Sequence, residues 1–497
     1  MVDGALKVLF VSAEVAPYST VGGLAHVASF LTRALKKDGV DARIFTPKYG
    51  SIKSNLLKTD LLIEGLEVPT GENASDKPAK LICNVRMLKT PKKFDPEIYF
   101  LENMEYYEQR ANVYGYMDDH VRFGLLSKAV LEFVKTGHFV PDIIHVNDWH
   151  TGYLTNYLKT EYGHEPKLAG VSTVYSIHNL YQGMFDFDHA SEMDFDDGKG
   201  PLAGFWDERF MKQNGLKRGA MNADLVNTVS QTYSRELMTE EYAPRLHNFF
   251  KELRAKFFGV LNGVDYQNFD PKKDKLIKQN FSASSTNLRD ENKLDLQREF
   301  NLKESLGIPI LGVVGRMGEQ KGIDLIMETM DFILSETNAQ LIAMGTGDDK
   351  YRDYFTALEG RFPGRVGTHM LFDAVLPRKI YAGADMLLIP SKYEPGGIVA
   401  LESLRYGCVP IVRATGGLSD SVVDYDPGEN IGTGFSFRTY SGMSFLVAVV
   451  RALETYRNKP EWKKIVKRAM SQDFSWTKAA VKYEELYKRA RENHGLG

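Results

Sequence analysis

Two cations lie five residues apart in a loop that follows a short apolar stretch. The stretch is Leu311 to Val314, which is typical of a buried strand, and the loop spans residues 315–322. Ligands of open α/β sheets bind at the carboxyl ends of the strands, and Arg and Lys bind phosphate oxygens. Arg316 and Lys321 are therefore predicted to face a diphosphate. The alternative is a pair of solvated cations on a surface loop.

A Glu-Pro-Gly-Gly turn follows a second apolar stretch, Met386 to Ile389, and leads into a helical pattern. Glu394 lies at the turn, Gly396 and Gly397 open the helix, and Glu402 lies further along it. Glycines at a helix start let backbone N–H groups approach an anion closely. The alternative is a capped helix with one buried and one exposed glutamate. The same device recurs after the next strand and strengthens the prediction of a phosphate cradle: Thr415, Gly416 and Gly417.

The amino-terminal half has its own Gly-Gly turn, Gly22-Gly23, between the first strand and a helical pattern. A phosphate site is one interpretation, and a tight turn without a ligand is the other. Polar residues also follow two further strands of this half, where they are predicted either to bind a sugar or to tie loops to the sheet by hydrogen bonds. These residues are His145, Asp148, His150 and His178.

Two patterns resemble metal sites, but we predict no metal. His145 and His150 lie at a junction of strand and loop and not on one helical face. The segment from Asp186 to Asp197 contains two Asp-Phe-Asp triplets, yet neither follows an apolar strand. We interpret that segment as a mobile acidic loop.

Short β-branched runs alternate with helical patterns in two series, which predicts an α/β fold with two doubly wound parallel sheets. The first series begins with Lys7 to Val11 and the second with Leu311 to Val314. A polar stretch from Asp265 to about Glu304 is interpreted as the crossing between the domains plus a surface excursion, with the boundary near Asn262. The pattern from Thr477 to Arg491 predicts an amphipathic helix that covers an apolar surface.

The composition is that of a folded globular protein. Of 497 residues, 43% are hydrophobic and 26% charged, which excludes collagen-like and wholly disordered chains. A net charge of −3 makes nucleic acid an unexpected partner. Cys83 and Cys408 are too few for a disulfide framework, and we find no leader pattern and no long apolar run. The sequence predicts a cytoplasmic protein without a membrane partner.

Ordered motifs along nearly the whole chain resemble bacterial glycogen synthases and plant starch synthases, a family of retaining glycosyltransferases. In the first half these motifs are residues 11–17, 21–24, 147–150, 176–185 and 261–264. In the second half they are residues 315–322, 381–385, 394–397, 405–410 and 415–418.

The resemblance implies the GT-B fold, in which two doubly wound Rossmann-like domains face a deep cleft and a carboxyl-terminal helix returns to the first domain. It implies a catalytic domain on the acceptor side at residues 1–262, a nucleotide-sugar-binding domain at 263–475 and the returning helix at 476–497. The implied reaction is transfer of glucose, with retention, from a nucleotide diphosphate glucose to the non-reducing end of an α-1,4-glucan. No metal or other cofactor is implied; the partners are the nucleotide sugar donor and the glucan acceptor.

The resemblance also implies residue roles. Arg316 and Lys321 would neutralise the leaving diphosphate, and Glu394 would bind glucose hydroxyls. Phe372 would stack on the base, and Glu402 would bind the ribose. The other expected site residues are grouped by role: for the sugar and the acceptor Asp148, His178 and Asn262, and for backbone contacts Gly22, Gly23, Gly396, Gly397, Thr415, Gly416 and Gly417.

Some positions depart from the family pattern. Thr20 stands where the family usually has Lys, and His26 where it has Asp. Gly396 replaces a Cys, and Glu402 replaces a Tyr and resembles a related Glu-x7-Glu family. These departures leave open the donor, which is ADP-glucose by preference and UDP-glucose or a GDP sugar otherwise. They also leave two alternatives: a hexosyltransferase with another acceptor, and a catalytically weak paralogue that binds glucan or nucleotide sugar.

Overall fold

The computed structural model describes residues 4–52, 57–72, 76–88, 93–180 and 198–495. The chain forms two compact units. Unit 1 consists of residues 1–229, 234–260 and 476–497, and unit 2 of residues 230–233 and 261–475.

Unit 1 is built on a nine-stranded sheet in the order β3-β4-β5-β2-β1-β6-β7-β8-β9. All neighbouring pairs are parallel except β3–β4 and β4–β5. The strands are β1 Lys7–Val11, β2 Asp41–Pro47, β3 Asp60–Pro69, β4 Lys80–Leu88, β5 Ile98–Glu102, β6 Ile143–Asn147, β7 Ser172–Ile177, β8 Leu225–Thr228 and β9 Phe257–Gly259. Central strands such as β6 and β7 are buried along their whole length, as parallel strands covered on both faces must be.

Within the described residues, seven α-helices lie between β1 and β9 along the chain. They are α1 Gly23–Lys37, α2 Asp119–Thr136, α3 Asp148–Thr160, α4 Glu208–Met211, α5 Gly215–Asn222, α6 Gln231–Glu236 and α7 His247–Glu252. Helix α1 begins at the predicted Gly-Gly turn, and α3 begins directly after β6. Two site predictions therefore lie at helix starts that follow parallel strands.

Unit 2 contains an all-parallel six-stranded sheet in the order β12-β11-β10-β13-β14-β15. The strands are β10 Ile310–Val314, β11 Gln340–Met344, β12 Val366–His369, β13 Met386–Ile389, β14 Val409–Arg413 and β15 Phe435–Phe437. The helices are α8 Arg289–Glu299, α9 Ile323–Glu336, α10 Asp349–Arg361, α11 Leu376–Gly383, α12 Ile398–Arg405, α13 Gly416–Ser421, α14 Gly442–Arg457 and α15 Lys459–Met470. Because β10 and β13 are neighbours, the loops that follow them leave the sheet side by side.

The last helix, α16 Trp476–Asn493, belongs to unit 1 and packs against α1, β7 and β8. Its buried face includes Tyr483 and Tyr487, which are fully buried. The Tyr487 hydroxyl lies 2.9 Å from Nδ1 of His145 on β6. The predicted amphipathic helix is confirmed, and its polar contacts fix where it lies on the sheet. None of the helices in the described ranges has the length and apolar character needed to cross a membrane.

The polar stretch from Asp265 to Glu304 differs from its prediction as a surface excursion. It contains α8, and Phe281 and Leu296 belong to the core of unit 2. Buried polar residues of the stretch are hydrogen-bonded: Gln297, for example, donates to Gln340 at 2.8 Å. The segment has few hydrophobic residues, and its composition therefore predicted a surface position. Its buried polar side chains are hydrogen-bonded inside unit 2.

Candidate functional site

The predicted cation loop contains an ion pair that links it to the next loop of the sheet. Nζ of Lys321 lies 2.6 Å from Oε2 of Glu394, and the Ser391 hydroxyl donates to the same oxygen at 3.0 Å. Glu394 is 9% exposed. Arg316 is exposed, bonds the Gln320 amide oxygen at 2.8 Å and has no acidic partner in the described part of the chain. The structure thus brings together three predicted residues, with one guanidinium available to an anion.

Main-chain contacts hold these two loops in register. The backbone N–H of Lys392 donates to the Gln320 carbonyl at 2.9 Å, and an exposed ion pair of 2.6 Å joins Lys392 to Glu319. Arg413 donates to the Lys392 carbonyl from the end of β14. The position of Lys321 beside Glu394 therefore follows from fixed backbone, which is the condition for a preorganised electrostatic site.

The two Gly-Gly turns of unit 2 pack directly against each other. A Cβ on Gly417 would lie 2.4 Å from the Gly396 carbonyl, and one on Gly416 would lie 2.1 Å from the Glu394 carbonyl. The N–H of Gly417 donates to the carbonyls of Glu394 at 2.9 Å and Pro395 at 3.1 Å. Gly397 begins α12 at φ 63°, and Thr415 is fully buried. The glycines are thus needed for close packing, and the Gly417 amide donates to protein carbonyls; the predicted phosphate cradle stays a prediction.

A further turn supports the cation loop, and the sequence reasoning missed it. Gly345 and Gly347 follow β11, and a Cβ on either would lie about 2 Å from a carbonyl, of Gly315 (1.8 Å) and Met317 (2.1 Å) respectively. The Met317 N–H donates to the Thr346 carbonyl at 2.7 Å. A Gly-x-Gly directly after an apolar strand was the signal available in the sequence.

Glu402 and Phe372 lie in different environments. Glu402, in the second turn of α12, is hydrogen-bonded to the buried Tyr381 hydroxyl, and burial raises its pKa to about 7. Phe372 follows β12, and its side chain is 82% exposed. The ring is free to stack on a ligand, whereas Glu402 already has a protein partner.

In unit 1, an internal carboxylate occupies the amides of the Gly22-Gly23 turn. Oε2 of Glu14 accepts from the N–H of Val21 at 2.7 Å and of Gly22 at 2.9 Å. The Tyr114 hydroxyl donates to the other oxygen at 3.3 Å. Burial raises the pKa of Glu14 although these bonds lower it. A carboxylate of the protein thus accepts the two amides that precede α1, through a residue to which the sequence reasoning had assigned no role, and the phosphate site at Gly22-Gly23 stays a prediction.

Asp148 and His178 are brought together at the carboxyl ends of β6 and β7. The backbone N–H of His178 donates to Oδ1 of Asp148 at 2.7 Å, and Nε2 of the His178 ring lies 2.8 Å from the Asn147 side-chain amide oxygen. Asp148 has φ 53°, a left-handed conformation that is uncommon outside glycine. Burial raises its pKa to about 7, with a smaller contribution from the charge of Glu14, and lowers that of His178 to about 4. This edge therefore concentrates neutral or easily neutralised polar groups.

The remaining histidines have different roles. His145 is fully buried; its Nε2 lies 2.6 Å from the Ser176 hydroxyl of β7, and its Nδ1 contact with Tyr487 ties the sheet to α16. His150 packs on Tyr114, with ring centroids 4.5 Å apart, and its buried Nδ1 has no hydrogen-bond partner among the described residues. The structural alternative holds for His145.

Asn262 belongs to unit 2, is 4% exposed, and its Oδ1 is buried without a partner in the ranges described above. An orphaned amide oxygen is what a hydroxyl ligand would satisfy. The predicted acidic loop, Asp186 to Asp197, lies outside the described residues. Within those residues, no cluster of three or more His, Cys, Asp or Glu side chains is arranged to hold a metal ion.

Residues 7–252 match the family described as "Starch synthase catalytic domain", and residues 297–469 match "Glycosyl transferases group 1". The chain is 39% identical to a glycogen synthase of Thermotoga petrophila over 98% of this chain and 99% of the relative. It is also 39% identical to a glycogen synthase of Clostridium perfringens over 97% and 98%.

The chain belongs to the glycogen synthase and starch synthase family. The structure of the catalytic domain of starch synthase IV from Arabidopsis thaliana, bound to ADP and acarbose, is similar with a TM-score of 0.84 and 29% identity, covering 98% of this chain and all of that one. The predicted fold class, with two Rossmann-like domains of the GT-B type, is confirmed. A member of the glycogen synthase family is a glycosyltransferase, and that prediction is confirmed as well.

Proposed function

We propose that the protein transfers glucose from ADP-glucose, with retention, to the non-reducing end of an α-1,4-glucan. The observation that supports this best is the Lys321–Glu394 pair beside the exposed Arg316. It lies on preorganised loops in a chain that is similar over 98% of its length to a starch synthase bound to ADP. UDP-glucose is the second candidate donor.

In the proposed reaction, the bond between glucose C1 and the diphosphate oxygen breaks, and a bond from C1 to the acceptor hydroxyl oxygen forms on the same face. The departing phosphate oxygen takes the proton of that hydroxyl, so no resident base, metal or cofactor is part of the proposal. Arg316 and Lys321 stabilise the charge that develops on the diphosphate. Glu394 binds glucose hydroxyls once Lys321 turns to the phosphate.

The remaining roles follow the chemistry of each side chain. Phe372 stacks on the base. Glu402 exchanges its hydrogen bond with the Tyr381 hydroxyl for one with the ribose. In unit 1, Asp148 and His178 bind sugar hydroxyls, because a neutral imidazole both donates and accepts hydrogen bonds. In unit 2, Asn262 offers its unpaired amide oxygen to a sugar hydroxyl. We also propose a cytoplasmic location.

The test is release of nucleotide from ADP-, UDP- and GDP-glucose by the full chain, each with and without glycogen. We expect glycogen-dependent release from ADP-glucose, at a rate at least tenfold above that from the other two donors. Faster release from UDP- or GDP-glucose would correct the donor, and release without any dependence on glycogen would contradict the acceptor. Silence with all three donors, together with retention on immobilised glycogen, would support a binding paralogue in which Thr20 replaces the family Lys.

A further inference from the structure

A cationic cavity lies in unit 2, at the amino-terminal ends of the strands, whereas the loops of the candidate site follow the carboxyl ends. It has a volume of about 250 Å³. Leu306, which precedes β10, and Asp385, which precedes β13, line it. The cation loop and the Glu394 turn follow the same two strands at their carboxyl ends. The cavity is therefore separate from the proposed donor site.

The charges that line this cavity are predominantly positive. They are four cations and two carboxylates: Arg289, Lys293, Lys459, Lys463, Asp290 and Asp385. The Asp385 carboxylate is already used, because its Oδ2 accepts from Nζ of Lys293 at 2.7 Å and from the Ile310 N–H at 2.8 Å. Lys293 also bonds the Tyr456 hydroxyl at 2.7 Å and the Leu306 carbonyl at 3.1 Å, so its three protons have partners.

The other cations of the cavity are not neutralised. Lys459 has no carboxylate partner among the described residues, and its Nζ lies 2.9 Å from the centre of the Tyr456 ring. Its pKa is lowered to about 8, chiefly by burial and also by the charge of Lys293, against the opposite effect of the Asp385 and Asp290 charges. Arg289 is 8% exposed and donates from one guanidinium nitrogen to the carbonyls of Ala384 at 2.7 Å and Tyr381 at 3.3 Å, whereas its buried Nε has no hydrogen-bond partner within the described ranges.

Backbone dipoles add to this positive charge. Helix α8 begins at Arg289 and α15 begins at Lys459, so the positive ends of two helix dipoles lie at the cavity, although the Asn458 side chain caps the Glu461 N–H of α15. Lys459 and Lys463 lie four residues apart on one face of α15, where like charges repel. An arrangement of cations on helix N-termini is unfavourable for the protein alone and is relieved by a bound anion.

We propose that this cavity, lined by Arg289, Lys459 and Lys463, is a binding site for a small phosphorylated metabolite, distinct from the donor site. The phosphate group would lie at the start of α15, where it meets the ammonium groups of Lys459 and Lys463 and the positive end of the helix dipole. A cavity of about 250 Å³ accommodates a phosphorylated sugar or a diphosphate. The proposal does not depend on the identity of the glucosyl donor.

The test is calorimetric titration of the full chain with pyrophosphate and, in parallel, with glucose 1-phosphate, in the presence of saturating ADP so that the donor site is filled. We expect binding of at least one probe, and the tighter one distinguishes a diphosphate from a phosphomonoester. The double variant Lys459→Gln/Lys463→Gln should weaken binding at least tenfold. The matched control is Lys464→Gln, which removes one charge from the same helix at a residue paired with Glu461 and not lining the cavity.

Three results would overturn the proposal. The first is no binding of either probe in the presence of ADP, and the second is an equal loss of affinity in the Lys464→Gln control. The third is binding that survives the double variant but disappears in Lys321→Ala, because the phosphate would then occupy the donor site. Both substituted lysines are exposed, so the variants are expected to fold. None of these measurements uses glucan synthesis, so a failure here is distinguishable from a failure of the proposed function.

Discussion

The Gly-Gly turns of the two units have the same sequence pattern but are stabilised differently. In unit 1, the carboxylate of Glu14 accepts hydrogen bonds from the backbone N–H groups of Val21 and Gly22. In unit 2, main-chain carbonyls accept the Gly417 amide, and the two glycine turns pack on each other. The comparison teaches that a glycine turn at a helix start need not bind a phosphate, because the protein can satisfy the amides itself. The exposed or paired cations of unit 2 are the better indicators of a phosphate site.

The largest expected effect comes from removing a cation in unit 2. Lys321→Ala should lower the rate of glucose transfer by about a hundredfold to a thousandfold, because an electrostatic contact to the leaving group commonly contributes about 3–4 kcal/mol in the transition state. The measurement is nucleotide release, with circular dichroism as a check of folding. Lys392→Ala, which removes a neighbouring exposed ion pair with Glu319, should change the rate less than twofold. Similar losses in both variants would contradict the assignment of the phosphate site.

The buried carboxylates of unit 1 should make its stability depend on pH. The pKa of Asp148 is raised from 3.8 to about 7, so the folded state binds a proton that the unfolded state releases at lower pH. This group therefore lowers stability progressively as pH rises from about 4 to about 7, and not further above that. Asp148→Asn should gain stability relative to wild type over the same window, of the order of 2–4 kcal/mol at 1.36 kcal/mol for each pKa unit.

Urea titrations of wild type and Asp148→Asn at several pH values provide this measurement. Asp142→Asn is a suitable control, since this carboxylate accepts a backbone N–H in an exposed hydrogen bond. A stability difference between wild type and Asp148→Asn that is independent of pH would show that burial does not raise the pKa of the Asp148 carboxyl.

Alanine at the two kinds of turn tests the packing argument. Gly417→Ala should destabilise the protein by about 1–3 kcal/mol, the usual cost of overpacking, because its Cβ would lie 2.4 Å from the Gly396 carbonyl. Gly22→Ala should cost less than about 0.5 kcal/mol, because its nearest contact would be 3.6 Å from Glu14 and surface changes are usually that small. Thermal unfolding of both variants checks this, and equal costs would remove the distinction between the turns.

The smallest expected effect is a gain. Thr20→Lys places a cation next to the unit 1 turn, where the family usually has one, and should raise turnover with ADP-glucose about tenfold, which corresponds to about 1.4 kcal/mol. Steady-state rates with ADP- and UDP-glucose measure it. Thr20→Met is the matched control, since it adds length without charge. An unchanged rate, or an equal gain in the control, would mean that Thr20 does not limit the reaction.

The sequence by itself determined the architecture of two units, each built on a doubly wound sheet. The predicted apolar runs Lys7 to Val11 and Met386 to Ile389 match β1 and β13 to the residue, because buried parallel strands are continuous hydrophobic segments. It missed β3 and β4, whose partly exposed antiparallel pairing breaks that pattern. It also predicted roles for Arg316, Lys321 and Glu394, and the structure places Lys321 beside Glu394 because the loops after neighbouring parallel strands converge.

Only the tertiary structure decided which groups accept hydrogen bonds from the backbone N–H groups of these turns. The Glu14 contact joins residues seven and eight positions apart through a turn, and that between Gly417 and Glu394 joins two loops. Likewise, the polar stretch before β10 carries Arg289 and Lys293 into a buried cavity. Hydrogen bonds and pKa shifts depend on distance and burial, and neither is encoded in the local pattern of residue types.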